Sequence, residues 1–361
     1  MLQPLDLDGI EVVRLEAGEI KISWEQTHLP PPERIYASCR PELLRQALGA
    51  EGDGASALPD QAEGVFSVAG PDAMADGVVT LRHLDTQARY YFKLAWADGS
   101  CRIVAERRVP MEGAANFRDL GGYRSAAGRR LQWGKVFRSD GLYRLKEKDL
   151  ELFEQIGICQ VFDFRTPSEA AAAPNRLPHT RPVGYLNLPV SRGEFDFMAA
   201  MKRIAKGDTD WLTPDFMVSG YIHNLEAHAK KWGRVLRHVA GAGNAPTLFH
   251  CTGGKDRTGI CAALILLALN VPEETVIRDH QLSNVYIAAL IPRIKERIAA
   301  YGIDPDLLDP YLTAPEEAIT AAIDHLRLHY GSACAYLREK AGVYPGELDQ
   351  LRENLLERQC L

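Results

Sequence analysis

Short runs of alternating polar and apolar residues fill the first third of the chain. Glu11-Val12-Val13-Arg14-Leu15 and Glu19-Ile20-Lys21-Ile22-Ser23-Trp24 flank Gly18. Arg34 to Ser38, Val65 to Val68, Val78 to Arg82, Arg89 to Trp96 and Arg102 to Ala105 follow. A period of two at this length, with turn-rich pieces such as Ala97-Asp98-Gly99-Ser100 between the runs, predicts seven strands and no long helix. Seven short strands predict a sandwich. Residues 45–63, rich in Gly, Ala, Asp and Glu, read as a long loop.

The pattern changes near residue 111. Val136-Phe137 reads as a short strand leaving through Arg138-Ser139-Asp140, and Leu145 to Gly157 as a helix with Leu150, Phe153 and Ile156 on one face. Ile158 to Arg165 is an apolar strand ending in charge, and Tyr185 to Val190 is another strand. Tyr221 to Ala240 reads as an amphipathic helix, Pro246 to Phe249 as a buried strand and Ile260 to Leu269 as a buried helix. Pro272-Glu273-Glu274 starts a further helix. Pro315 to Tyr330, closed by Gly331, and residues 346–358 complete the set. This predicts an all-β sandwich over 1–110, then an α/β domain over 111–361 with a central, mostly parallel sheet flanked by helices. Between about 191 and 220 the sheet character disappears. Phe195, Phe197, Met198, Met201, Trp211, Phe216 and Met217 lie among charges, which reads as short helices laid over the sheet's functional end.

The chemistry concentrates in His250-Cys251-Thr252-Gly253-Gly254-Lys255-Asp256-Arg257-Thr258-Gly259, a turn between a strand and a helix N-terminus. Gly253 and Gly254 let the backbone curl so that consecutive N–H groups, from Thr252 to Arg257, point inward. Such a ring at a helix start binds an oxyanion, and the Arg257 fork suits two phosphate oxygens. Cys251 sits at the mouth of that cradle, where helix N-termini and cations favour the thiolate and a phosphoryl group meets a nucleophile. Thr258 is placed to donate to the sulfur, and His250 to order the loop. Lys255 adds positive charge at the mouth. Asp163 and Arg165 close the strand before, at the carboxyl end where α/β sheets bind ligands. Glu169, four residues on, is spaced to pair with Arg165. Asp163 is a candidate for proton transfer or a brace of the sheet edge. Asp256 is a second candidate, and Asp208, Asp210 and Asp215 are alternatives.

Charge and cysteine usage narrow the function. A formal net charge of −6 argues against general nucleic-acid binding. The seven cysteines have neither metal-ligand nor disulfide-framework spacing, and an odd number favours a reducing compartment. Met1-Leu2-Gln3-Pro4-Leu5-Asp6 lacks the basic and apolar parts of a signal peptide. The apolar run 260–269 is shorter than the about 20 residues a membrane span needs. The expected location is cytoplasmic, with no transmembrane segment.

The ten-residue loop resembles the signature of cysteine-dependent phosphatases. Its Gly-Lys-Asp-Arg-Thr-Gly form is similar to the microbial tyrosine phosphatases with dual protein and phosphoinositide activity, related to atypical dual-specificity enzymes. Asn116-Phe117-Arg118-Asp119-Leu120-Gly121-Gly122-Tyr123 resembles the start of their catalytic domain, Asp163-x-Arg165 followed by Glu169 their acidic strand end, and Asp279-x-x-Leu282-Ser283-Asn284 a later helix. The resemblance covers roughly 110–358. The spacing of the first seven strands, with Trp24 and Tyr91, looks like a fibronectin type III or immunoglobulin-like module.

The resemblance implies a metal-free, cofactor-free phosphomonoesterase. Cys251 attacks phosphorus, the loop and Arg257 hold the oxygens, Asp163 or Asp256 protonates the leaving oxygen, and water then hydrolyses a phosphocysteine. Arg118 and Asp119 are expected to brace the site, and Asp279 and Asn284 to support the loop from behind. In the family the 191–220 region covers a deep pocket, so Phe195, Phe197, Trp211 and Phe216 are candidate lid residues. The implied substrate is phosphotyrosine protein, with phosphoserine or phosphothreonine behind it. A phosphoinositide phosphatase and an inactive phosphate-binding module stand as alternatives. The β module is an accessory, with docking to a partner as its functional reading. The resemblance also leaves secretion without a signal peptide as a second location.

Overall fold

In the computed structural model, residues 9–357 are described, apart from 16–17, 26–28, 47–63, 70–73, 75, 192–202, 205, 210, 212, 244 and 301. Seven strands come first: β1 (Ile10–Arg14), β2 (Ile20–Trp24), β3 (Arg34–Ser38), β4 (Phe66–Ala69), β5 (Val78–Leu81), β6 (Tyr91–Ala95) and β7 (Cys101–Ala105). They form two antiparallel sheets, ordered β1-β2-β5 and β4-β3-β6-β7. Period-two alternation builds the core between them. Ile20, Ile22 and Trp24 of one sheet pack against Ile35, Ala37, Phe92 and Leu94 of the other. A short helix, Pro41–Gln46, was not expected from the pattern. The long loop predicted over 45–63 lies almost wholly outside the described residues.

The larger sheet of this sandwich is buried on both faces. Tyr36, Tyr91, Ile103 and Ala105 point away from the sandwich core and pack with Trp133 from beyond it. Gly121 and Gly122 make room for that indole: a Cβ on either would sit within 2.5 Å of a Trp133 atom, and Gly122 has φ +81°. Arg89 reaches across to Asp119 at 2.9 Å, and both side chains are essentially inaccessible. Asp119 also accepts from the Gly121 and Gly134 N–H groups.

The third sheet runs β11 (Gly184–Asn187), β10 (Gln160–Asp163), β12 (Thr247–His250), β9 (Val136–Ser139) and β8 (Arg118–Asp119). The pairings among β11, β10, β12 and β9 are parallel, and β8 joins the edge antiparallel. The two-residue β8 is too short to show a period in the sequence. Alternation in the three inner strands splits the core. Phe137, Val161 and Leu248 pack on one face with Leu152 and Phe153 of the helix Glu147–Ile156. Val136, Phe162 and Phe249 face the larger cluster, built by the helices Pro214–Ala227, Ala229–Gly241, Asp256–Ala268, Glu316–Tyr330 and Pro345–Leu355. The single helix expected over 221–240 is two helices meeting at His228. No helix among the described residues is long and apolar enough to cross a membrane.

Of the expected lid, Phe195, Phe197 and Asp210 lie outside the described residues. Trp211 and Phe216 pack on one another and on Tyr311, with ring centroids 5.0–5.8 Å apart. Asp208 pairs with Arg203 at 2.6 Å, and Asp215 lies exposed in the first turn of the Pro214–Ala227 helix.

The buried Arg89–Asp119 pair makes a stability prediction. Arg89→Met leaves a buried carboxylate without its cation and costs about 3–5 kcal/mol, read from urea unfolding. Arg82→Met, which breaks an exposed pair with Glu19, changes the midpoint little. Equal small effects would show that the pair carries no such load.

Candidate active site

The register of the parallel sheet brings three strand ends together. His250 at the end of central β12 lies opposite Asp163 on β10 and Ser139 on β9. Cys251 follows, 2% exposed, and the helix Asp256–Ala268 begins five residues later.

The loop is held by its carbonyls. The His250 ring nitrogen Nδ1 meets the Cys251 carbonyl at 3.1 Å, and the Gly141 N–H donates to that of Thr252 at 3.1 Å. Asn116 Nδ2 donates to the Gly253 carbonyl at 3.1 Å, and Arg138 Nη2 to those of Gly254 at 2.8 Å and Lys255 at 3.4 Å. In a trans peptide the next N–H points opposite the carbonyl. Anchoring these oxygens outward therefore turns the following N–H groups into the bowl. Gly254 has φ +66°, and a Cβ there would lie 2.6 Å from the Ser139 and Asp140 backbone, so the sharp turn and the close approach both require glycine. Thr258, fully buried, donates its hydroxyl to Cys251 Sγ at 3.1 Å.

Behind the loop stands Asp279. Its Oδ1 accepts from Arg118 Nε at 3.2 Å and the Tyr123 hydroxyl at 2.9 Å, and its Oδ2 from Arg138 Nη1 at 2.6 Å. Arg118 also donates to Asn116 Oδ1, whose amide holds the Gly253 carbonyl. Burial alone would push the Asp279 carboxyl up, but Arg118 and Arg138 hold it well below the carboxylate range. Asn284 does not join this group: it bonds Gln281 and both backbone groups of Ala314. Asp119 faces Arg89 rather than the loop.

The partner of Arg257 is Glu169, not reached by the sequence argument, which paired that carboxylate with Arg165. Arg257 Nη1 and Nη2 donate to the two Glu169 oxygens at 2.8 Å each, and Nη1 also reaches the Phe164 carbonyl at 3.2 Å. The Thr252 hydroxyl donates to Glu169 Oε1 at 2.7 Å. Glu169 is posed by a capping box: Thr166 N–H donates to Glu169 Oε2, Glu169 N–H to Thr166 Oγ1, and Pro167 opens the helix. The Thr166-x-x-Glu169 spacing was the available signal. Burial favours the neutral acid here, but the Arg257 fork outweighs it and holds Glu169 down at about 2.

Arg165 instead grips Asp163, with contacts of 2.7–3.1 Å from Nε and Nη2. Asp163 also accepts from Tyr185 at 3.0 Å and Asn175 at 3.3 Å, and it is fully buried. His250 lies next to it, and burial pushes its ring down to about 4, so it is neutral. Asp256, by contrast, keeps 29% of its side chain exposed. Its oxygens take Lys255 Nζ at 2.9 and 2.7 Å, and Oδ1 takes the Tyr221 hydroxyl at 2.7 Å. Burial favours its neutral form, but Lys255 and then Tyr221 hold it below the ordinary range. Tyr221 in turn lies 2.8 Å from His280 Nε2. Neither Tyr221 nor His280 was singled out in the sequence: Tyr221 sits mid-helix with no local motif, and His280 fills an unspecified position of the Asp279-x-x-Leu282-Ser283-Asn284 run.

A family model described as the tyrosine phosphatase family matches residues 109–357. The chain is 28% identical over 260 residues to a Cupriavidus necator protein that carries a provisional tyrosine-protein phosphatase name, across 72% of this chain and 92% of that one. It is 28% identical over 289 residues to the triple specificity protein phosphatase PtpB of Mycobacterium tuberculosis, across 70% of this chain and all of that one. Against the crystal structure of P. aeruginosa TpbA the identity is 17% and the TM-score 0.27, covering 64% of this chain and 94% of that chain.

The Glu169–Arg257 pair predicts a pH-dependent stability. A carboxyl held at about 2 when folded and at about 4.3 when unfolded contributes fully above the unfolded value. That contribution is lost as pH falls through the folded value. Glu169→Gln is therefore less stable than the wild type at pH 7 by about 2 kcal/mol, and the gap narrows toward pH 3. Denaturant midpoints across that range check it. A gap that stays constant would separate the stability from this ionisation.

Proposed function

The chain belongs to the tyrosine phosphatase family, and from that membership we propose that it hydrolyses phosphotyrosine in proteins through a phosphocysteine formed on Cys251. The observation that carries the reading is Cys251 Sγ under the Thr258 hydroxyl, inside a loop whose carbonyls are all tied outward. In the first step the sulfur attacks phosphorus, the phosphorus–phenol oxygen bond breaks, and an acid gives the leaving oxygen its proton. In the second, water attacks phosphorus, a base takes the water's proton, and the sulfur leaves as thiolate with Thr258 donating to it. The inward N–H groups of residues 252–257 and the Arg257 guanidinium hold the equatorial oxygens throughout, so catalysis is position and electrostatics.

Asp256 is the better acid and base of the two candidates. Asp163 is fully buried and committed to Arg165, whereas Asp256 stands partly exposed in the loop itself. A bound phosphate dianion competes for Lys255, and losing that cation raises the proton affinity of Asp256. We read Asp163, Arg165, His250, Arg118 and Asp279 as supports of the loop. A relative named for triple specificity supports a substrate range wider than phosphotyrosine, with phosphoserine, phosphothreonine and phosphoinositides next. We place the module boundary near residue 110. The sheet orders β1-β2-β5 and β4-β3-β6-β7 support a fibronectin or immunoglobulin-like reading of the first module, with an accessory or docking role.

Phosphate release with chelator present, on phosphotyrosine peptide and a phosphoinositide panel, tests this. Turnover should vanish in Cys251→Ser and fall about 10²–10⁴-fold in kcat in Asp256→Asn, with the peptide preferred. Turnover that survives in Cys251→Ser would overturn the phosphocysteine. A preference for the lipid would replace the protein substrate, and a loss confined to Asp163→Asn would move the acid.

A further inference from the structure

A chain of three hydrogen-bonded groups runs from Asp256 into the protein. Tyr221, from the helix Pro214–Ala227, and His280, from the helix Glu273–Ile287, are each 1% exposed. The tyrosine oxygen lies 2.7 Å from Asp256 Oδ1 and 2.8 Å from His280 Nε2. A hydroxyl has one proton to give. A carboxylate cannot donate, so Tyr221 gives its proton to Asp256 and must receive one from His280. That places the imidazole hydrogen on Nε2 and leaves Nδ1 bare. His280 Nδ1 is buried with no hydrogen-bond partner among the described residues, which suits a bare nitrogen better than an N–H. The ring also lies tight against the loop helix: a Cβ on Gly259 would come within 2.7 Å of His280 Cδ2.

We propose that Tyr221, locked by His280, is a positioning residue that keeps Asp256 Oδ1 an acceptor and leaves Oδ2 to carry the transferred proton. The proposal rests on the assignment of Asp256 as acid and base. The rotor has one direction open to it, because His280 cannot accept the tyrosine proton without moving its own to the partnerless Nδ1. Oδ2 is the oxygen nearer Lys255 Nζ, at 2.7 Å, and it is freed when that ammonium turns to a bound phosphate. The other charges facing this trio are Lys255 and Arg257 beside Asp256, Arg138 and Asp279 beside His280, and Cys251 beside Tyr221. Each is held by contacts that a Tyr221 substitution leaves in place. Burial pushes the His280 ring down to about 3, so the donor is the neutral imidazole across the working pH range.

The sign follows from the donor. Removing the tyrosine hydroxyl withdraws a proton donor from the carboxylate and raises the proton affinity of Asp256. In pH profiles of kcat on phosphotyrosine peptide, the limb that disappears in Asp256→Asn should move up by about one to two pH units in Tyr221→Phe, with KM little changed. His280→Leu should move it in the same direction by less, and His280→Gln, whose amide still donates, should restore it toward the wild type. A merely structural role would lower the melting temperature of these variants without moving the limb. A limb that stays put in both Tyr221→Phe and His280→Leu, while Asp256→Asn abolishes it, overturns the proposal. An Asp256→Asn enzyme with unchanged kcat overturns the assignment beneath it instead. Should Tyr221→Phe fail to fold, His280→Leu decides by the same reading.

Discussion

The clasp of Asp279 on two arginines is the interaction on which the rest of the site depends. Arg138 cannot hold the Gly254 carbonyl unless something holds Arg138, and a guanidinium with no exposed surface needs an anion in reach. Asp279 supplies it at 2.6 Å. Arg118 shares the same carboxylate and, through Asn116, steadies the neighbouring Gly253 carbonyl. Removing any one of these charges would leave the others buried without balance, which costs more than the pair gains by forming. The arrangement is therefore better understood as a device for fixing one loop geometry than as a source of net stability. It explains why a helix that begins at Glu273, far along the chain, decides where N–H groups near residue 254 point.

How much of this could be read from the sequence depended on whether the partners were neighbours in the chain. The strand, loop and helix around Cys251 are contiguous, so their order, the need for glycine at 254 and the placing of Thr258 were all legible. The two sheets of the first module were legible too, since period two persists in β2, β3, β5 and β6. Partners brought together by the fold were not. Glu169 pairs with a residue 88 positions away, and the nearer Arg165 offered a plausible rival at helical spacing. The structure resolves the rivalry through Asp163, which already occupies Arg165. Tyr221 reaches Asp256 from one helix and is held by His280 from another, and the motif around His280 specifies its neighbours Asp279 and Leu282 but not the histidine itself. Asn284 shows the converse error: its motif was right for the helix, but its side chain turns to Ala314.

The first module is fastened to the phosphatase part more firmly than a tethered accessory needs. Its larger sheet hides its outer face against Trp133, and Arg89 brings a full charge into that contact. Asp119, which receives it, is the immediate neighbour of Arg118 on β8. The same two-residue strand thus presents one side chain to the module and the next to the Asp279 clasp. Alternation along a strand makes that division automatic, because successive side chains leave on opposite faces. A strand of two residues, invisible as a pattern in the sequence, joins the module to the support of the loop.

The charges around the loop bear on how it would attract a dianion. On its open side the side chains cancel in pairs, Arg257 with Glu169 and Lys255 with Asp256. A bowl lined by neutral pairs has no reason, on those terms, to prefer a phosphate monoester to a neutral ester. The buried layer behind it does not cancel. Arg118 and Arg138 share the one carboxylate of Asp279, so that cluster carries one positive charge more than it cancels. That charge lies in the protein interior, where screening is weak, and Arg138 touches the Gly254 carbonyl directly. It polarises the peptide so that the N–H on its far side is a better donor to an anion. The helix Asp256–Ala268 adds its own N-terminal partial charge in the same direction. On this account the pull on phosphate comes from the back of the loop through the backbone, and the two side-chain pairs at the mouth are left free to exchange partners when substrate arrives.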